Sequence, residues 1–173
     1  MRKLIIVCGL PGSGKTVLAD EISKRTGIVC LHKDSIKEKL FESLAMSTFE
    51  DSKRIGRPSV DVMLHLAEQQ IVNGVDVIVE APFNFPEDYQ NFNDWALRYG
   101  INLYSIICFI DSDERKRRVE TRERHGSHFD GSRTQDYFPE KEYDYASAPG
   151  KQIRMRTDRS ISELAEEVIS QFD

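Results

Sequence analysis

Residues 7–16 read VCGLPGSGKT, with glycine at 9, 12 and 14 and Lys15 and Thr16 directly after. A loop that turns consecutive backbone N–H groups toward an anion needs conformations that side chains obstruct, which is what glycine at this spacing supplies. Gly9-Leu10-Pro11-Gly12-Ser13-Gly14-Lys15-Thr16 fits G-x-x-x-x-G-K-[ST], the pattern of a phosphate cradle. In that chemistry Lys15 reaches the β- and γ-phosphates of a nucleoside triphosphate, and the Thr16 hydroxyl sits on Mg²⁺. A helix opening after the loop adds roughly half a positive charge at its N-terminus.

Leu31-His32-Lys33-Asp34-Ser35-Ile36-Lys37 holds a second candidate. Asp34, delivered at the end of a second strand near the γ-phosphate, would accept or orient the proton of an attacking hydroxyl. The competing role is capping of the next helix. Ser35-x-x-Glu38 already supplies a capping box, which leaves Asp34 available.

A third candidate is RKRRVETRERH at 115–125, six Lys or Arg against two Glu. Helical spacing puts Arg115, Arg118, Arg122 and His125 on one face. Val119 alone is apolar, so this helix has little to bury, and a lid closing over polyphosphate would give it a purpose. The alternatives are a solvated charged face or a local nucleic-acid patch, with Phe129, Tyr137 and Phe138 just beyond it. His125 and His128 lack a third ligand at metal spacing and do not make a zinc site.

These residues need a scaffold. Apolar runs at Lys3–Cys8, Ile28–Leu31, Asp76–Val79, Leu103–Ile110 and Gln152–Met155 read as strands covered on both faces. Helical patterns lie between them: Lys15–Thr26 closed by Gly27, Val60–Asn73 closed by Gly74, and Glu87–Tyr99 between Pro86 and Gly100. A last helix carries the stripe Ile161, Leu164, Ala165, Val168, Ile169 and Phe172 behind a Ser160-x-x-Glu163 capping box. Alternation of this kind predicts an α/β fold with a parallel sheet between helical layers, and a site at the carboxyl ends of the strands. Ser47–Pro58 and Gly126–Gly150, the latter rich in Tyr, fit neither pattern; loops that long usually serve function.

The 173 residues with 39% apolar content suit one domain. A net charge of −5 argues against a surface built wholly for nucleic acid, and no apolar window nears the ~18 residues of a membrane span. Cys8, Cys30 and Cys108 lie in apolar runs without C-x-x-C spacing, so free thiols in a reducing cytoplasm are expected. The N-K-x-D and D-x-x-G strings of small GTPases are missing.

GLPGSGKT followed by HKDSIK resembles the phosphate-loop kinases that include polynucleotide 5′-kinases, zeta toxins and chloramphenicol phosphotransferases. The likeness runs from Gly9 to about Asp130. It implies the three-layer phosphate-loop NTPase fold, strand order 2-3-1-4-5, with a helical lid at about 112–130 and an acceptor side at about 34–60. It also implies Asp34 as general base and Arg118 and Arg122 as lid arginines. Lys37 stands where polynucleotide kinases carry an arginine for the acceptor phosphate; lysine keeps the charge without the bidentate fork. Val77–Phe83 is similar to the family's third strand, so Glu80 would orient Mg²⁺-bound water. Asp111 is the rival metal carboxylate, although with Asp113 it suits a helix start. Arg124 to Asp130 resembles an R-H-P-G-H-x-D string with Gly126 and Ser127 in place of Pro-Gly, and Thr157-Asp158-Arg159 falls where an adenine-side loop is expected. The implied activity is ATP- and Mg²⁺-dependent phosphoryl transfer to a hydroxyl of a small-molecule acceptor in the cytoplasm. A polynucleotide 5′-hydroxyl kinase and a non-catalytic ATP-dependent binding module are the alternatives.

Overall fold

A computed structural model describes residues 2–129, 138 and 143–172. Its centre is a parallel sheet of β1 (Lys3–Cys8), β2 (Val29–His32), β3 (Val77–Glu80), β4 (Asn102–Phe109) and β5 (Lys151–Arg156). The strand order is β2-β3-β1-β4-β5, the order implied by the resemblance. Strand β1 is central, with Ile5 opposite Ile78 of β3 on one side and Tyr104 of β4 on the other.

Alternation along β1 sends its side chains into two cores. Leu4, Ile6 and Cys8 pack with Met63, Ala67 and Ile71 of α4 (Gly56–Val72) and Phe92 of α5 (Pro86–Tyr99). Ile5 and Val7 pack with Leu18, Ala19 and Ile22 of α1 (Lys15–Thr26) and with Leu164, Ala165 and Val168 of α7 (Ile161–Ile169). The sheet therefore carries helices on both faces. Arg2 ties the far ends of one layer, donating to the carbonyls of Ile71 and Tyr99 at 2.9 and 2.8 Å. Cations suit such sites because a helix ends with unpaired carbonyls.

Several local readings are corrected. Strand β2 runs without a loop into α2 (Lys33–Ser43), so Asp34 lies in the first helical turn and Ser35 is too far inside to cap. Ser160 does occupy the N-cap of α7, but its side chain makes no capping bond. Residues 47–58 are helical for most of their length. Thr48 and Asp51 form a reciprocal capping box for α3 (Phe49–Arg54), and α4 starts a turn earlier than its apolar spacing suggested. Pro58 is tolerated there because first-turn N–H groups have no intrahelical partner to lose. Cys8 and Cys108 are buried and Cys30, on the edge strand, is partly so; all three are free thiols. No helix among the described residues is long and apolar enough to cross a membrane.

Candidate active site

The loop between β1 and α1 stands at the carboxyl edge of the sheet, and three glycines let it nest against its neighbours. Two of them show why no other residue serves. Gly12 has φ +83°, and a Cβ there would lie 2.6 Å from the Arg115 carbonyl oxygen; Gly14, the N-cap of α1, has φ +82° and faces the Thr157 side chain at 3.1 Å. The conformation is left-handed and the space is already taken. Gly12→Ala is therefore expected to destabilise the fold by about 1–3 kcal/mol and to disable nucleotide binding, as a melting curve with and without Mg·ATP would show.

Arg115 belongs to α6 (Ser112–Thr121), the basic helix, and is 1% exposed. The expectation that this helix has little to bury is corrected: Arg115 and Val119 cover the back of the loop, and Arg115 Nη1 donates to the Pro11 carbonyl at 3.2 Å. The Arg115 guanidinium also lies 4.6 Å from the Phe138 ring centroid. Long side chains with apolar stems can serve as core, which composition alone conceals. The helix ends at Thr121, so Arg122, in extended conformation, and His125 do not share a helical face with Arg115 and Arg118. Nor is the segment an open basic strip. Arg117 and Arg118 both hydrogen-bond Glu114 and draw its carboxyl down to about 2.

In front of the loop lies a cavity of about 660 Å³. Lys15, Thr16, Asp34, Glu80, Arg118 and Arg122 all line it. Residues from five separated stretches of sequence thus converge on one volume. Glu80, at the end of β3, is 3% exposed; its Oε1 lies 3.9 Å from Lys15 Nζ. Asp111 takes no part. It is two-thirds exposed and bound to Arg156, with Nη1 3.0 Å from Oδ1. Thr157 braces the rear of the loop, donating to the Ser13 carbonyl at 2.7 Å while Arg118 Nη2 donates to the Thr157 carbonyl at 2.9 Å.

Three further side chains order the carboxylates, a role to which the sequence strings that contain them gave no pointer. Arg124 Nη2 donates to Asp34 Oδ2 at 2.6 Å, and Lys33 Nζ to Asp34 Oδ1 at 3.1 Å. Burial opposes ionisation of Asp34, but the charges of Lys33 and Arg124 outweigh it and hold the carboxyl far below the usual range. His128 is pushed down to about 4, chiefly by burial, so at neutral pH it is uncharged. One tautomer satisfies it: Nδ1 accepts from Arg124 at 2.8 Å and Nε2 donates to Glu38 at 2.8 Å. These contacts give a place to the Arg124-to-Asp130 string, whose last residue, with most of the Tyr-rich 132–149, lies outside the described residues.

His32 bridges two carboxylates, with Nδ1 3.0 Å from Glu80 Oε2 and Nε2 3.0 Å from Asp20 Oδ1. Hydrogen bonds to Cys30 and Glu80 push it up to about 10. A folded pKa above the ordinary 6.5 of the unfolded chain stabilises fully below pH 6.5, and that contribution is lost as pH rises through 10. The melting-temperature gap between the wild type and His32→Gln should therefore narrow from pH 6.5 toward pH 10. A gap independent of pH would show that the imidazolium is not the stabilising form.

Lys37, expected to meet the acceptor, does not line the cavity. It is 0% exposed, and its Nζ donates to Ser52 Oγ at 2.7 Å and to the Ser127 carbonyl at 3.2 Å. The cation ties α2 to α3 and to the segment after α6. Beside the loop, Pro11, Lys33, Arg57, Asn84 and Phe85 line a second cavity of about 560 Å³. Ser52, Lys53 and Gly56 line it as well.

The arrangement suits a triphosphate and a magnesium ion. The glycine cradle is one that a Cβ would fill, and the exposed Thr16 hydroxyl shares its cavity with the Glu80 carboxylate. Among the described residues no cluster of three or more His, Cys, Asp or Glu could hold a metal by itself.

Comparison with solved structures places the whole chain on a kinase fold. A candidate kinase from Chloroflexus aurantiacus matches 99% of this chain and 99% of its own, at TM-score 0.84 and 21% identity. A sugar kinase from Janibacter sp., unliganded, matches 98% of this chain and 93% of its own at TM-score 0.61 and 18% identity. The Mycobacterium tuberculosis APS kinase CysC, in complex with AMPPNP and APS, matches 98% and 95% at TM-score 0.58 and 21% identity. No curated protein matches the chain. At the level of sequence, the family model described as "AAA domain" matches residues 4–137, from the first strand through the glycine loop and α6. The chain belongs to that AAA domain family and has the fold of the small phosphate-loop kinases.

Proposed function

We propose that the protein is an ATP- and Mg²⁺-dependent kinase that transfers the γ-phosphoryl group to a hydroxyl of a small-molecule acceptor. The observation that carries this reading is the convergence of Lys15, Asp34, Glu80, Arg118 and Arg122 on the one cavity in front of the glycine loop. Loop residues Gly9 to Thr16, Leu10, Pro11 and Ser13 among them, would wrap the phosphates, the Ser13 N–H holding the turn through the Leu10 carbonyl at 3.1 Å, and Lys15 would bridge β and γ. Thr16 and Glu80 would hold Mg²⁺, which supplies charge neutralisation at the β- and γ-oxygens.

Asp34 receives the acceptor hydroxyl. Its carboxylate is a weak base in this setting, so its contribution is orientation, with the proton passing outward late. A loose transition state asks little of the base and much of positioning. The acceptor oxygen bonds to the γ-phosphorus, the bond from that phosphorus to the β,γ-bridging oxygen breaks, ADP leaves, and the hydroxyl proton passes by Asp34 to solvent. Arg118 and Arg122 stand where charge develops on the transferring group. The pairing of Arg117 and Arg118 with Glu114 and the burial of Arg115 disfavour a nucleic-acid face on the lid helix. The test is transfer from γ-labelled ATP across a panel of small alcohols, sugars and 5′-hydroxyl oligonucleotides. Label on a small alcohol or sugar supports the reading. Label only on oligonucleotides, or ATP binding without transfer to any member, overturns it.

A further inference from the structure

The second cavity has a composition that narrows the acceptor. We propose that it binds the acceptor of the reaction above, and that this acceptor is a flat-ringed hydroxyl compound carrying one anionic group. The inference rests on the kinase reading and goes beyond it in naming the substrate class.

Position comes first. Pro11, from the middle of the glycine loop, and Lys33 line the near end of the cavity. Lys33 Nζ lies 3.1 Å from Asp34 Oδ1, and Asp34 itself faces the nucleotide cavity. Lys33 lines one cavity and the adjacent Asp34 the other, so an acceptor seated beside Lys33 would have the Asp34 carboxylate within reach of its hydroxyl.

One wall is apolar and held in an unusual shape. It is formed by Ala81, Pro82, Phe83 and Phe85, directly after β3. Phe83 has φ +44°, a left-handed conformation that a bulky residue rarely adopts. Two tyrosine hydroxyls pin it there: Tyr89 Oη donates to the Phe83 carbonyl at 2.6 Å, and Tyr145 Oη to the Pro82 carbonyl at 2.7 Å. Enforced backbone strain beside a reactive site commonly shapes a ligand surface. Here it accompanies a Phe85 left 57% exposed at the cavity mouth. An aromatic face kept in water this way suits a flat ring stacked in offset fashion.

The facing wall is basic. Arg57 Nη1 is bound at 2.6 Å to Asp88, which is only 3% exposed, and Arg57 Nε at 2.8 Å to Asp61. The guanidinium is thereby oriented and largely neutralised. Lys53 differs: among the described residues it pairs with no carboxylate, and its Nζ lies 5.4 Å from the Phe49 ring centroid. A cation with no carboxylate in contact, on a mainly apolar pocket that Glu87 also lines, suits an anionic group on the ligand.

Three probes separate the possibilities: 4-(hydroxymethyl)benzoate, benzyl alcohol and glucose, titrated by NMR into the protein with Mg²⁺ and a non-hydrolysable ATP analogue. The benzoate is expected to bind at least tenfold more tightly than either of the others, and to receive phosphate from ATP at its hydroxymethyl oxygen. Lys53→Ala should weaken the benzoate about tenfold and leave benzyl alcohol unchanged. Phe85→Ala should weaken both aromatic probes. Both residues are exposed, so melting temperature and affinity for the ATP analogue, measured on each variant, should stay at wild-type values. If glucose binds best, or Lys53→Ala leaves the benzoate unaffected while the nucleotide still binds, the acceptor class is wrong and the kinase reading stands. If the wild type binds no nucleotide, both fall.

Discussion

Asp34→Asn is expected to lower turnover by about 10²–10⁴-fold and to leave ATP affinity nearly unchanged. The size follows from what is removed. Asp34 is the carboxylate proposed to align the acceptor hydroxyl; it lines the cavity in front of the loop and is held there by Arg124 at 2.6 Å and Lys33 at 3.1 Å. Amide for carboxylate keeps the shape but loses the charge-assisted acceptor that aligns the hydroxyl. The nucleotide is gripped elsewhere, by the loop and Lys15, so ATP titration should hardly change. Steady-state kinetics and calorimetry on the same preparation separate the two effects. Near-normal turnover would remove Asp34 from the mechanism. Because the substitution also loosens Arg124, a melting curve belongs beside the kinetics; a lowered melting temperature with full residual activity would mean a purely structural aspartate.

Lys15→Ala carries the other large effect. Both nucleotide affinity and turnover should fall, affinity by about 10- to 100-fold and turnover by about 10²–10³-fold. Lys15 Nζ stands 3.9 Å from Glu80 Oε1, and the residue is only partly exposed, so the ammonium is already directed into the cavity before a phosphate arrives. Glu80 keeps its bond from His32 at 3.0 Å when the lysine is removed, which protects the fold from an orphaned buried charge. The melting temperature of the free protein should therefore change little, and its rise on addition of Mg·ATP should disappear. An unaltered calorimetric affinity would count against the loop as the triphosphate site. The two variants differ in kind: one separates binding from chemistry, the other loses both.

What could be read in the linear chain was local and periodic. The loop motif occupies eight adjacent residues, from Gly9 to Thr16, and its glycines answer to backbone geometry that any such loop must adopt. The strands showed because apolar runs of that length suit a sheet covered on both faces, and α1 is bounded at Thr26 by Gly27 as its spacing indicated. Long-range pairing was a different matter. Lys37 looks like a surface cation until Ser127, ninety positions later, is found at its ammonium. Arg115 and Arg118 look equivalent on a helical wheel, yet one is core beneath Gly12 and the other lines the nucleotide cavity.

Legible in the chain alone were the glycine loop, the strand–helix alternation, and Asp34 and Glu80 as carboxylates near the carboxyl edge of the sheet. Folding was needed to show which cations are buried braces, that Arg124 and His32 order those carboxylates, and that Phe85 and Lys53 line one cavity. The reason is physical. Hydrogen-bonded periodicity is set by neighbours a few residues apart, whereas desolvation and charge pairing depend on whatever distant segments the packed sheet brings within a few ångströms.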